Sequence, residues 1–214
     1  GADLFESYCS SLLAACALGA AAWVHAPDLQ LKVVVAPMAI AGLGILLSIA
    51  GVFLVTTREG ADQRELLASL SRGINTSAAM ILAGSAALLW WLDVPNTWGI
   101  WGAVASGLVT GIVVGRATEY ATSPSFAPTR GIAAQAEDGA ATAVIAGIGV
   151  GMQSTAVPVM AVTLGTLAAF LCASGFDMAQ LGQGLYGIAI AAVGMLSTLG
   201  ITLATDAYGP GADN

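Results

Sequence analysis

The sequence predicts an all-α protein, a polytopic transmembrane bundle of six membrane-spanning helices with both termini cytoplasmic. Three observations predict it. The 214 residues are 57% hydrophobic and only 9% charged, more apolar surface than a soluble domain can hide. The few charges gather between long apolar runs, each near the ~20 residues that a helix needs to cross a bilayer. Arginine and tryptophan sort to opposite ends of those runs.

The stretches poor in charge are 7–31, 33–55, 73–92, 94–115, 139–176 and 178–205. They place spans at about 3–25, 33–55, 73–92, 98–120, 139–174 and 184–207. Pro27 and Asp28 end the first helix near His25. The second is apolar throughout and leads into a turn, 56–73, rich in alternating charge. The third closes on Trp90 and Trp91, and the fourth opens on Trp98 and Trp101. The fifth is too long for one straight crossing, so it should tilt, extend into the cytoplasm or kink near Pro158. The sixth carries a hydroxyl stripe, Ser197, Thr198, Thr202 and Thr205, leading to Asp206. Gly107, Gly111 and Gly115, then Gly147 and Gly151, recur at helical spacing and predict close approach between helices.

Orientation follows from the basic residues, which are retained in cytoplasmic loops. Arg58, Arg64, Arg72, Arg116 and Arg130 fall at the 56–73 and 116–138 turns, and Lys32 lies opposite. Trp23, Trp90, Trp91, Trp98 and Trp101 map to that other face, as an interfacial belt does. The net charge of -7, with six scattered basic residues, excludes nucleic acid as a partner. Cys9, Cys16 and Cys172 lie in apolar runs without metal-ligand spacing, and packing explains them.

Ionisable groups at membrane depth are expensive, which makes the acids at either end of the chain candidate functional residues. Asp3 and Glu6 are three apart on one helix face, and Ser7 extends that face by one turn from Asp3. In an ordinary first turn, helix capping by Asp3 and dipole compensation by Glu6 are the favoured account, whereas helix preceding Gly1 would set both carboxylates deeper than a cap. Asp213 sits seven residues, about two turns, beyond Asp206. Such a ladder suits Mg²⁺ shared with phosphate oxygens, and it suits a proton relay.

The segments GADLFESY, TEYATS, EDGAATAVI, GIAIAAVGMLST and ATDAYGPGADN, in this order, resemble the membrane-bound, ion-translocating pyrophosphatases. The resemblance runs end to end and implies a central six-helix block, residues 1–214, of a longer pump, inert by itself. It implies hydrolysis of inorganic pyrophosphate with Mg²⁺, and with K⁺ in some members. It also implies translocation of protons or Na⁺ out of the cytoplasm, a homodimer, and a place in a bacterial inner membrane or an acidic-organelle membrane. Carried over residue by residue, Asp213 resembles a Mg²⁺-pyrophosphate ligand, with Asn214 its neighbour on the substrate side. Asp3 resembles the aspartate of an ion gate, with Ser7 on the same path. Glu6 resembles the glutamate that helps set ion selectivity, and Asp206 an acid below the substrate. The chain departs from the family at Ala121, where a tyrosine is usual, at Ala143 for asparagine, at Met152-Gln153 for Tyr-Lys, and at Gly211. A secondary transporter with intramembrane carboxylates and no hydrolase activity is the rival reading.

Overall fold

The computed structural model describes residues 2–56, 58 and 63–204. The described elements are all α-helices: α1 Ala2–Ala22, α2 Pro27–Val52, α3 Gln63–Leu92, α4 Thr97–Thr122, α5 Ala127–Asp138, α6 Ala140–Ser154, α7 Ala156–Ala173 and α8 Leu181–Leu196. Six helical stretches among the described residues are long and apolar enough to cross a membrane. The chain forms two compact units, Gly1–Val109 with Gly165–Asn214, and Thr110–Leu164.

The first unit packs α1 against α2 and α8, and α2 against α3 and α8. Its elements start and stop for local reasons. Pro27 opens α2 at a position whose N–H has no helical partner, and Asp28 complements the positive end of the helix. Asn96 accepts a hydrogen bond from the Gly99 N–H through Oδ1 and donates through Nδ2 to the Cys172 and Ala173 carbonyls at 3.2 and 2.9 Å. One amide thereby caps the start of α4 and donates to two of the carbonyls that end α7.

The core of this unit is built by α8, whose Tyr186, Ile190 and Val193 are fully buried alongside Val33, Ile40 and Val104. Backbones approach closely where glycine leaves room. A Cβ on Gly107 would collide with the Ala191 carbonyl, and one on Gly194 would lie 2.7 Å from the Val104 oxygen, so α4 and α8 cross almost backbone to backbone. The expected glycine contact is therefore present at Gly107. At Gly115, Gly147 and Gly151 an added Cβ would instead meet nothing within 4 Å among the described residues.

The tryptophans divide. Trp90, Trp91 and Trp98 are exposed, as a belt requires, whereas Trp23 is buried edge-on against Tyr186 and Trp101 donates from Nε1 to the Leu82 carbonyl at 2.9 Å. All three cysteines are free thiols.

In the second unit the 116–138 segment, read as a turn, contains the helix α5. Pro128 at its start and the run Ala133-Ala134-Gln135-Ala136-Glu137 favour it. The Thr129 hydroxyl donates to the Ala121 carbonyl and Arg130 Nε to the Pro124 carbonyl, folding α5 back onto the turn that follows α4. Gly139, with φ 139°, separates α5 from α6 in a conformation that a side chain rarely adopts.

The long fifth stretch does break, at Thr155 between α6 and α7. Pro158 has no N–H for the Ser154 carbonyl, and its ring crowds that oxygen, so the helix ends there. The Ser154 and Thr155 hydroxyls donate to the Gly151 and Met152 carbonyls at 2.7 and 2.8 Å across the interruption.

Candidate functional site

The acidic motif occupies the first two turns of α1. Asp3, Glu6, Ser7 and Ser10 are exposed along one face, while Tyr8, Ala15 and Gly19 on the opposite face are buried. This alternation follows from helical spacing: residues three and four apart stack, and the apolar partners of α1 in α2 and α8 take the other side. The Tyr8 hydroxyl fixes the rotation of the helix by donating to the Ala41 carbonyl at 3.1 Å. The Ser11 hydroxyl turns back onto the Ser7 carbonyl at 2.9 Å. The structure thus aligns Asp3, Glu6 and Ser7 on a face that the other described residues of the unit leave open.

Asp206, Asp213 and Asn214 lie outside the described residues. Among the described residues no three His, Cys, Asp or Glu side chains gather to hold a metal ion. Asp3 and Glu6 offer two carboxylates, short of the octahedral oxygen set that Mg²⁺ demands. The described residues therefore do not form a Mg²⁺ site.

Two features escaped the sequence reading. At the end of α3, Lys32 Nζ donates to the Asp93 carboxylate at 2.8 Å and to its carbonyl at 3.1 Å. That hydrogen bond, and then the charge of Lys32, hold the Asp93 carboxyl below its usual value. The pairing joins the start of α2 to the end of α3, and the only signal for it in the sequence was two opposite charges at equivalent ends of antiparallel spans. The second feature is a cavity of about 600 Å³ within the second unit. Arg116, Tyr120 and Ala121 of α4, Pro128 of α5, and Gln153 and Val157 at the α6–α7 break line it. Ala121 and Gln153, two of the departures from the family pattern, thus share one cavity.

The six apolar helices and the buried small-residue crossings define an integral, multi-pass membrane protein with an acidic face on its first helix. The family model of the inorganic H⁺ pyrophosphatases matches residues 1–214, and the chain belongs to that family. It is 58% identical to a Bacteroides thetaiotaomicron protein provisionally named a K(+)-stimulated pyrophosphate-energized sodium pump, covering all of this chain and 29% of the relative. It is 38% identical to the K(+)-insensitive pyrophosphate-energized proton pump 2 of Moorella thermoacetica, over all of this chain and 31% of the relative. It is 35% identical to the K(+)-insensitive pyrophosphate-energized proton pump of Methanosarcina mazei, over all of this chain and 30% of the relative. The chain thus spans less than a third of the length of these relatives.

Proposed function

We propose that residues 1–214 are the central six-helix block of a pyrophosphate-energised ion pump, with both termini cytoplasmic. The complete protein hydrolyses inorganic pyrophosphate to two phosphates and moves a cation out of the cytoplasm. The observation that carries this reading is the open face of α1, where two carboxylates and two hydroxyls line up inside a helix otherwise built for the membrane. Family membership over the whole chain supplies the substrate class. The cation is a proton or Na⁺, and the name of the 58% identical relative makes Na⁺ the first to test.

The roles follow from the chemistry of the side chains. Asp213 holds the metal-bound diphosphate, with Asn214 beside it, and Asp206 is an acid below the substrate. Mg²⁺, when bound, neutralises charge on the phosphate oxygens. Asp3 gates the cation path, Glu6 tunes which cation passes, and Ser7 offers it a neutral oxygen. Carboxylates on a water-poor path interact strongly, so the charge state at Asp206 changes the energy of a cation at Asp3 and Glu6. K⁺ stimulation and a homodimeric assembly belong to the same reading.

The test is phosphate release from pyrophosphate with Mg²⁺, together with cation uptake, in membranes holding the full-length parent. Hydrolysis coupled to uptake is expected. Uptake without phosphate release would leave the secondary transporter in its place.

A further inference from the structure

The cavity of about 600 Å³ in the second unit combines apolar walls with a cluster of hydrogen-bond donors and no carboxylate in its lining. Val113, Val150 and Val157 supply the walls, and Arg116, Gln153 and Tyr120 the donors. Arg116 has no ion-pair partner among the described residues. Arg116 is the first charged residue after the apolar run 94–115, a stretch near the ~20 residues that cross a bilayer. An arginine at that end of a span belongs at the headgroup level of the cytoplasmic leaflet, where anionic lipids concentrate.

We propose that this cavity binds one anionic phospholipid of the cytoplasmic leaflet, its phosphate held by Arg116, Gln153 and Tyr120 and its upper acyl segment lying between Val113, Val150 and Val157. The charge decides the occupant. A cation or a neutral apolar helix would leave the guanidinium uncompensated at the edge of the membrane, whereas a phosphodiester accepts from all three donors and brings its own apolar chain. Ala121 is essential to the space, because a larger side chain there would project into it. The site is independent of the acidic face of α1 and takes no part in hydrolysis.

The experiment uses the full-length parent in mild detergent, with phosphatidylglycerol or phosphatidylcholine of identical acyl chains added, and counts retained lipids by native mass spectrometry. The wild type should retain one more phosphatidylglycerol than phosphatidylcholine per chain. Arg116→Gln should weaken that retention about fivefold, the effect of one interfacial charge, and Arg116→Lys should keep most of it. Ala121→Tyr should abolish it by filling the cavity, and Gln153→Ala should reduce it while preserving the backbone. Equal retention of both lipids by the wild type, or full phosphatidylglycerol retention by both Arg116→Gln and Ala121→Tyr, overturns the proposal. Lipid counts are read without pyrophosphate, so a failure here is distinct from a failure of the pump reading.

Discussion

The Tyr186 hydroxyl donates to the Val33 carbonyl at 2.7 Å, and Pro37 is the reason that oxygen is free to accept it. A proline at that position in α2 withholds the N–H that would have closed the helical bond to Val33. Both Val33 and Tyr186 are fully buried, so the carbonyl has no water to turn to. A side chain from α8 supplies the missing donor, and the break in α2 becomes the tie between α2 and α8.

This relation predicts a specific coupling. Tyr186→Phe should destabilise the full-length protein by about 1–3 kcal/mol, the cost of a buried acceptor left unsatisfied. Pro37→Ala restores an N–H for Val33, so the double variant should lose less than the sum of the two single variants. Thermal unfolding in detergent across the double-mutant cycle checks it. Strict additivity would show that Val33 does not link the two positions.

The crossing of α4 and α8 predicts an intolerance of even one methyl group. Gly107→Ala places a Cβ against the Ala191 carbonyl, which neither backbone can avoid without moving a helix. The expected cost is about 1–3 kcal/mol, read as a lower unfolding temperature of the purified parent. An unchanged temperature would mean that α4 and α8 stand further apart.

Much of the fold was legible because the physics is local. Residue charge and length mark the apolar stretches, and a kink near Pro158 was one of the three ways open to the over-long fifth, the one the break at Thr155 follows, since a proline disrupts its own preceding turn. What stayed hidden depends on distant partners or on balanced local signals. Pro37 was visible in α2, yet nothing near it points to Tyr186, which lies 153 residues from Val33. The helix α5 was concealed because it buries nothing and forms no long apolar run, so the 116–138 segment read as a turn. On the candidate site, Asp3, Glu6 and Ser7 share the face that their spacing implies. The cavity beside Arg116 was not legible, because it depends on how α5 and the Thr155 break bring Pro128 and Gln153 towards α4.

The Lys32–Asp93 pair gives a pH dependence with a definite sign. The folded carboxyl titrates below its ordinary value because Lys32 hydrogen-bonds and attracts the charged form. Its contribution is therefore present above the unfolded carboxyl value of 3.8 and is lost as pH falls through the lower folded value. Asp93→Asn should lower the unfolding temperature slightly at pH 6, because the pair is solvent-exposed. The gap between variant and wild type should close as pH falls below the carboxylate range. A gap that widens in acid would contradict the pairing.

On the proposed reading, variants of the α1 acids should separate transport from hydrolysis. Asp3 and Glu6 face away from the packed side of their helix, so replacing either with its amide removes a charge while leaving the contacts of Tyr8, Ala15 and Gly19 in place. If they form the cation path, Asp3→Asn in the full-length parent should slow cation uptake by about tenfold or more, over 1.4 kcal/mol of lost stabilisation. The Mg²⁺ and pyrophosphate dependence of any remaining hydrolysis should stay close to wild type, because neither side chain holds the substrate. Glu6→Gln should change the preference between Na⁺ and H⁺ more than the affinity for Mg²⁺. If Asp213 holds the metal-bound diphosphate, Asp213→Asn should do the reverse and abolish phosphate release. Measuring uptake and phosphate release on the same vesicles distinguishes the three. An Asp3→Asn protein that pumps at the wild-type rate excludes the gate role, because a carboxylate on the obligatory path cannot lose its charge without changing the energy of the passing cation.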